Sequence, residues 1–94
     1  MFRHIVFFKV KPEEQHKIPE AAEKLRSLTA VPVVRGVEVG LDEVKSGRSY
    51  DIALIVDTDS RADYEVYDAH ELHQPVRQFM RSIIESSATV DFER

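Results

Sequence analysis

The 94-residue chain has no cysteine and no tryptophan, only three glycines and only four prolines. Without thiols it can form no disulfide, no thiolate metal site and no cysteine nucleophile. Glycine-rich phosphate loops and nucleotide or flavin motifs are missing, so no bound organic cofactor is expected. Positive charge is also in short supply: 13 Lys+Arg against 17 Asp+Glu leave a net charge of −4. Nucleic-acid binding needs a basic stripe, and none is present. The longest apolar run near the N-terminus, Ile5-Val6-Phe7-Phe8, stops at Lys9. It is too short for a membrane span or a signal-peptide core. The expectation is therefore no nucleic-acid partner, no membrane and a cytoplasmic location.

Hydrophobic residues at 43% and charged residues at 32% describe one globular domain over residues 1–94. A chain of this length buries only roughly 60–65% of its unfolded surface, so self-association is an obvious way to bury more. From Phe2 to Val10 both parities are apolar at mid-strand, which predicts a strand covered on both faces. Ile18, Ala21, Ala22, Leu25 and Leu28 form one helical stripe whose regular part starts near Pro19. Val37, Val39 and Leu41 alternate as a half-exposed strand, and Glu43–Ser49 reads as a loop. Tyr50–Thr58 forms a third strand, with Ile52, Leu54 and Val56 on one parity. Ser60 and Asp63 fit a helix N-cap, opening a helix that carries Ala62, Val66 and Ala69 with Tyr64 and Tyr67 beside them. A junction at His70–His73 leads to a periodic helix through Val76, Phe79, Met80, Ile83 and Ile84. A short final strand carries Ala88, Val90 and Phe92.

Strand, helix, strand, strand, helix pair, strand is the α+β, split β-α-β pattern of the ferredoxin-like fold, with a four-stranded antiparallel sheet. Its first and third strands are central. Ile5, Phe7, Ala53 and Ile55 then form a bare apolar sheet face, the mark of an interface. The expected partner is a second copy of the chain.

The stretches Arg3-His4-Ile5-Val6-Phe7-Phe8-Lys9-Val10, Tyr50–Val56, Tyr67-Asp-Ala-His70-Glu-Leu-His73 and Val90-Asp91-Phe92-Glu93 occur in an order that resembles the stress-responsive A/B barrel (Dabb) family. The resemblance runs over nearly the whole chain. It implies a homodimeric α/β barrel whose two sheets pack face to face, with a pocket between each sheet and its own helices. Members include plant stress-induced proteins and polyketide cyclases that use a tyrosine and a histidine in that pocket. The wider superfamily includes cofactor-free monooxygenases and isomerases. Two positions depart from the pattern: Glu71 stands where proline is common, and Ile52 where cyclases carry a histidine.

Tyr67, His70 and His73 recur every three residues and would share one broad helical face. His4 lies on the strand parity of Val6 and Phe8, opposite to Ile5 and Phe7. His4, Tyr67 and His73 are therefore the candidate acid-base groups, since imidazole titrates near neutrality and a phenol can donate to a developing enolate. Val6, Phe8, Ile52, Leu54, His70 and Phe79 are the candidate ligand-binding residues around them. The alternative is that His70 and His73 cap the helix junction while Tyr67 fills the core. His-x2-His with His4 could supply three nitrogens to a metal, but the spacing is a weak signal and no metal is expected. Asp57, Asp59 and Asp63 lack the glycine and terminal glutamate of a calcium loop. Two functions follow: a dimeric protein that binds a small apolar or aromatic molecule, or a cofactor-independent lyase, cyclase or monooxygenase.

Overall fold

Alternating side chains make Phe2–Val10 a strand, β1, with Phe2, His4, Val6, Phe8 and Val10 buried on one face. The computed structural model describes residues 1–94. After β1 a 3₁₀ turn, Pro12–Lys17, feeds helix α1, Ile18–Arg26, whose second residue is Pro19. Proline suits that place because its missing N–H would have no helical partner there. A second 3₁₀ turn, Ser27–Ala30, leads into β2, Val34–Leu41, which begins three residues before its alternating stretch. β3 spans Ile52–Thr58, starting two residues after the expected Tyr50. Two helices, α2 (Arg61–Ala69) and α3 (His73–Ile83), precede β4, Ile84–Glu93.

The sheet is open, four-stranded and antiparallel, in the order β2-β3-β1-β4. β1 and β3 are central, as the pattern predicts, with Val6 opposite Leu54 and Phe8 opposite Ile52. All helices lie on the His4 side. Ala21, Leu25 and Leu28 of the first helical stretch, Tyr67 of α2, and Val76, Met80 and Ile83 of α3 pack on Val6, Phe8, Val10, Ile52, Leu54 and Val56. Full burial of each of the larger aliphatic, phenylalanine and methionine side chains contributes about 1.5–3 kcal/mol. At the register shift between Lys9 and Val10, the Val10 amide donates to the buried Asp51 carboxylate at 2.7 Å. No helix is long and apolar enough to cross a membrane.

One sequence expectation needs correction. The last strand is not short: it runs ten residues, and Ile84 is its first residue instead of the end of α3. Its early side chains Glu85, Ser86 and Ser87 sit exposed on an edge strand, so they carry no hydrophobic alternation. In α2 the small aliphatic stripe Ala62, Val66, Ala69 lies away from the sheet. It points outward, with Val66 50% exposed, while Tyr67 is wholly buried and Tyr64 half-buried beneath. Two aromatic rings one helical turn apart cover more apolar sheet than alanines can, and they set the helix rotation. The Ser60 cap forms as read, its hydroxyl accepting the Asp63 amide at 3.1 Å.

Candidate functional site

His4 projects from mid-β1 toward the helices because its parity is that of Val6 and Phe8. The antiparallel register sets Val56 on one side of it and Asp91 of β4 on the other. Its Nδ1–H donates to the Asp91 carboxylate, which leaves Nε2 as the nitrogen open to a ligand. The His4 ring packs at 4.8 Å from Tyr64 and 6.3 Å from Tyr67, centroid to centroid.

Helix α2 ends at Ala69, so the Asp68 carbonyl has no helical partner. The start of α3 supplies three: His73 Nδ1–H at 3.0 Å, Gln74 Nε2 at 3.1 Å and Arg77 at 3.1 Å. Arg77 also bonds the Asp68 carboxylate. His73 thus caps the junction, and that bond assigns its tautomer: Nδ1 carries the proton and Nε2 faces the Tyr67 hydroxyl, 3.4 Å away. The two rings stack at 4.5 Å. Capping and exposure to the site, alternatives in the sequence, coexist in one side chain.

Burial pushes the His73 pKa below its ordinary 6.5, helped by the Arg77 guanidinium and opposed by the bond to Asp68. The imidazole is therefore neutral near pH 7. The unfolded chain binds this proton more readily than the folded one. The His73 contribution to stability is accordingly intact above pH 6.5 and is lost as pH falls through the depressed native value. An NMR titration should give His73 a midpoint below 6.5, and His73→Gln should flatten the stability slope between that midpoint and 6.5. A midpoint above 6.5 would contradict this environment. The Tyr67 phenol is held well above its usual value by burial, and Tyr64 is raised by burial with the Asp68 and Asp91 charges. Both remain hydrogen-bond donors throughout the physiological range.

A cavity of about 280 Å³ lies between the sheet and α2–α3. His4, Tyr67 and His73 line it, as do Val6, Phe8 and Leu54. Three other candidates lie elsewhere. Ile52 is sealed in the core beside Phe8, with 2% exposure. Phe79 sits under the Lys24 ammonium, on the α1 side of α3. His70 serves the turn, its Nδ1 accepting the Leu72 amide at 3.1 Å. The repeat of three failed for His70 because α2 stops at Ala69, which turns His70 off the helical face. Val76, Met80, Tyr64, Asp68 and Arg77 also line the cavity without having been singled out as site residues. Asp91, the partner of His4, was legible only as the polar parity of the last strand; the β1–β4 register is what brings it to His4.

Nowhere do three histidine, aspartate or glutamate side chains converge as metal ligands would. Asp57 pairs with Arg3 through two 2.9 Å bonds, and Asp59 pairs with Arg35. On the opposite sheet face, Ile5, Phe7, Ala53 and Ile55 are joined by Ala88, Val90 and Phe92 of β4. Phe7, Val90 and Phe92 are 38%, 58% and 40% exposed in the single chain.

The family model described as the stress responsive A/B barrel domain matches residues 2–94. No curated protein matches the sequence. Among solved structures, a dimeric protein of ferredoxin-like fold and unknown function from Bacteroides fragilis is 26% identical, with a TM-score of 0.82. That match covers 99% of this chain and 95% of the other. A dimeric ferredoxin-like protein of unknown function from Thermobifida fusca superposes with a TM-score of 0.88 at 21% identity, over 99% and 90% of the two chains. A hydroxynitrile lyase from Passiflora edulis reaches 0.83 at 18% identity, over 97% and 90%.

Proposed function

The chain belongs to the stress-responsive A/B barrel domain family, and from that premise we propose that it is a homodimer holding a small, largely apolar or aromatic molecule between each sheet and its own helices. The carrying observation is the cavity's division of labour. Val6, Phe8, Leu54, Val76 and Met80 offer an apolar bed, while His4, Tyr67 and His73 gather polar groups over it. Small-molecule sites have this form: mostly apolar, with a few convergent polar atoms that fix orientation. Support for the dimer comes from the apolar outer face and from the dimeric relatives. Two sheets joined through those faces make the α/β barrel. The test uses benzyl alcohol as the probe in an amide chemical-shift titration. Shifts at Val6, Leu54, Tyr67 and His73 are expected, with none in the loop 42–51. Shifts confined to that loop, or none, would overturn the reading.

One observation favours a second reading, as a cofactor-independent enzyme. The neutral His73 presents an unprotonated Nε2 beside the Tyr67 hydroxyl, and Asp91 orients His4. A base next to a phenolic donor can take a proton from a hydroxyl or activated C–H, while the phenol stabilises charge developing on oxygen. The Passiflora edulis relative, a lyase, adds to this case. Cleavage of mandelonitrile to benzaldehyde, followed in the ultraviolet, separates the readings. Turnover lost in Tyr67→Phe and His73→Ala supports the enzyme; binding without turnover supports the carrier.

A further inference from the structure

The lining of the cavity is richer in positive charge than the chain as a whole, with the Asp91 carboxylate standing behind it on His4. The protein carries −4 overall, yet the cavity lining holds two arginines, Arg77 and Arg81, against the single carboxylate of Asp68. His73 is neutral near pH 7 and adds nothing to that balance. The arginines differ in their engagement. Arg77 is bonded to both the carboxylate and the carbonyl of Asp68. Arg81, one turn further along α3 and at the exposed rim, has no hydrogen bond and no ion pair within the chain. Across the mouth, Ser87 and Thr89 of β4 project on the helix-facing parity, opposite Phe8 and Val6. Their hydroxyls have no protein partner either.

The geometry points to a carboxylic acid as the ligand: its carboxylate sits at the mouth against Arg81, with Ser87 and Thr89 as hydroxyl donors, and its apolar body runs inward toward Tyr67 and His73. This rests on the reading of the cavity as a ligand site and adds the ligand's charge to it. A free guanidinium presents a planar fork of N–H donors that matches a carboxylate, and two hydroxyl donors can satisfy its remaining lone pairs. To a neutral amide or alcohol the same guanidinium can donate hydrogen bonds, but it forms no ion pair.

Phenylacetate and phenylacetamide are nearly isosteric and differ in charge, so they test the two layers separately. Titrations followed by amide chemical shifts should show phenylacetate binding about ten-fold more tightly than phenylacetamide, the scale of one partly exposed charge-assisted contact. Arg81→Gln should bring phenylacetate down to the affinity of the amide, and added salt should do the same progressively. Arg61→Gln, an equal charge change on α2, should keep the preference. Equal affinity of the two probes, both shifting Val6, Tyr67 and His73, would overturn the carboxylate while leaving the cavity as a site. Preference retained in Arg81→Gln would also overturn it. If neither probe moves the cavity residues, both the carboxylate and the cavity reading fall.

Discussion

Phe7→Asp should convert the dimer into monomer or aggregate. Phe7 lies at mid-β1 on the outward sheet face, opposite Ala53 and Ala88, with Ile5, Ile55 and Val90 one pair along. A carboxylate there would lose its water against the apolar Ala53 and Ala88 beside it, while Lys9, the next residue on that face, is bonded to the Ser49 carbonyl. A poorly paired buried charge costs several kcal/mol. A stable interface of this kind buries on the order of 2,000 Å² in total, so the charge would sit near its centre. In sedimentation equilibrium the unmodified protein should run at twice 10.8 kDa. Val66→Asp, on the exposed outer side of α2, serves as the control and should leave that mass unchanged. A monodisperse 10.8 kDa species of the unmodified protein at micromolar concentration would reject the sheet-to-sheet dimer.

Tyr67→Ala should come close to unfolding the chain. The ring is wholly buried, stacks on His73 and packs near His4 and Tyr64. Removing a buried aromatic side chain costs about 3–5 kcal/mol, against a total stability of about 5–15 kcal/mol for a typical domain. Tyr67→Phe keeps the packing and deletes only the hydroxyl that meets His73, a loss of about 1 kcal/mol. Urea midpoints should therefore separate the two variants widely. The phenylalanine variant then becomes the clean probe of the hydroxyl's role in binding or turnover. Equal midpoints for Tyr67→Ala and the unmodified protein would mean that Tyr67 is not part of the core.

Much of this was legible in the residues. The parity of β1 assigns His4, Val6 and Phe8 to the helices and Ile5 and Phe7 to the opposite face, and β3 repeats the division. A two-residue burial pattern is clear in the central strands because the helices cover one face and leave the other open in the single chain. It fails in β4, where an edge strand exposes Glu85, Ser86 and Ser87 and alternation has nothing to sort. The rotation of α2 was legible only through Tyr67. Two stripes, one of small aliphatics and one of tyrosines, compete on nine residues, and only the bulk required over the sheet decides between them. His73 was readable as a residue facing the helix-covered side, but its tautomer depends on the orphaned Asp68 carbonyl, which exists only because α2 stops at Ala69. Asp91 depends on a strand pairing that crosses almost the whole chain. Local pattern can name a parity; it cannot name the partner across the sheet.

The most direct test of the account is a crystal structure grown with benzyl alcohol. Ligand density is expected between the sheet and α2–α3, against Val6, Leu54, Tyr67 and His73, in a dimer whose copies meet through Ile5, Phe7, Ala53 and Ile55. A cavity filled by its own side chains, with ligand density only on another surface, would contradict it.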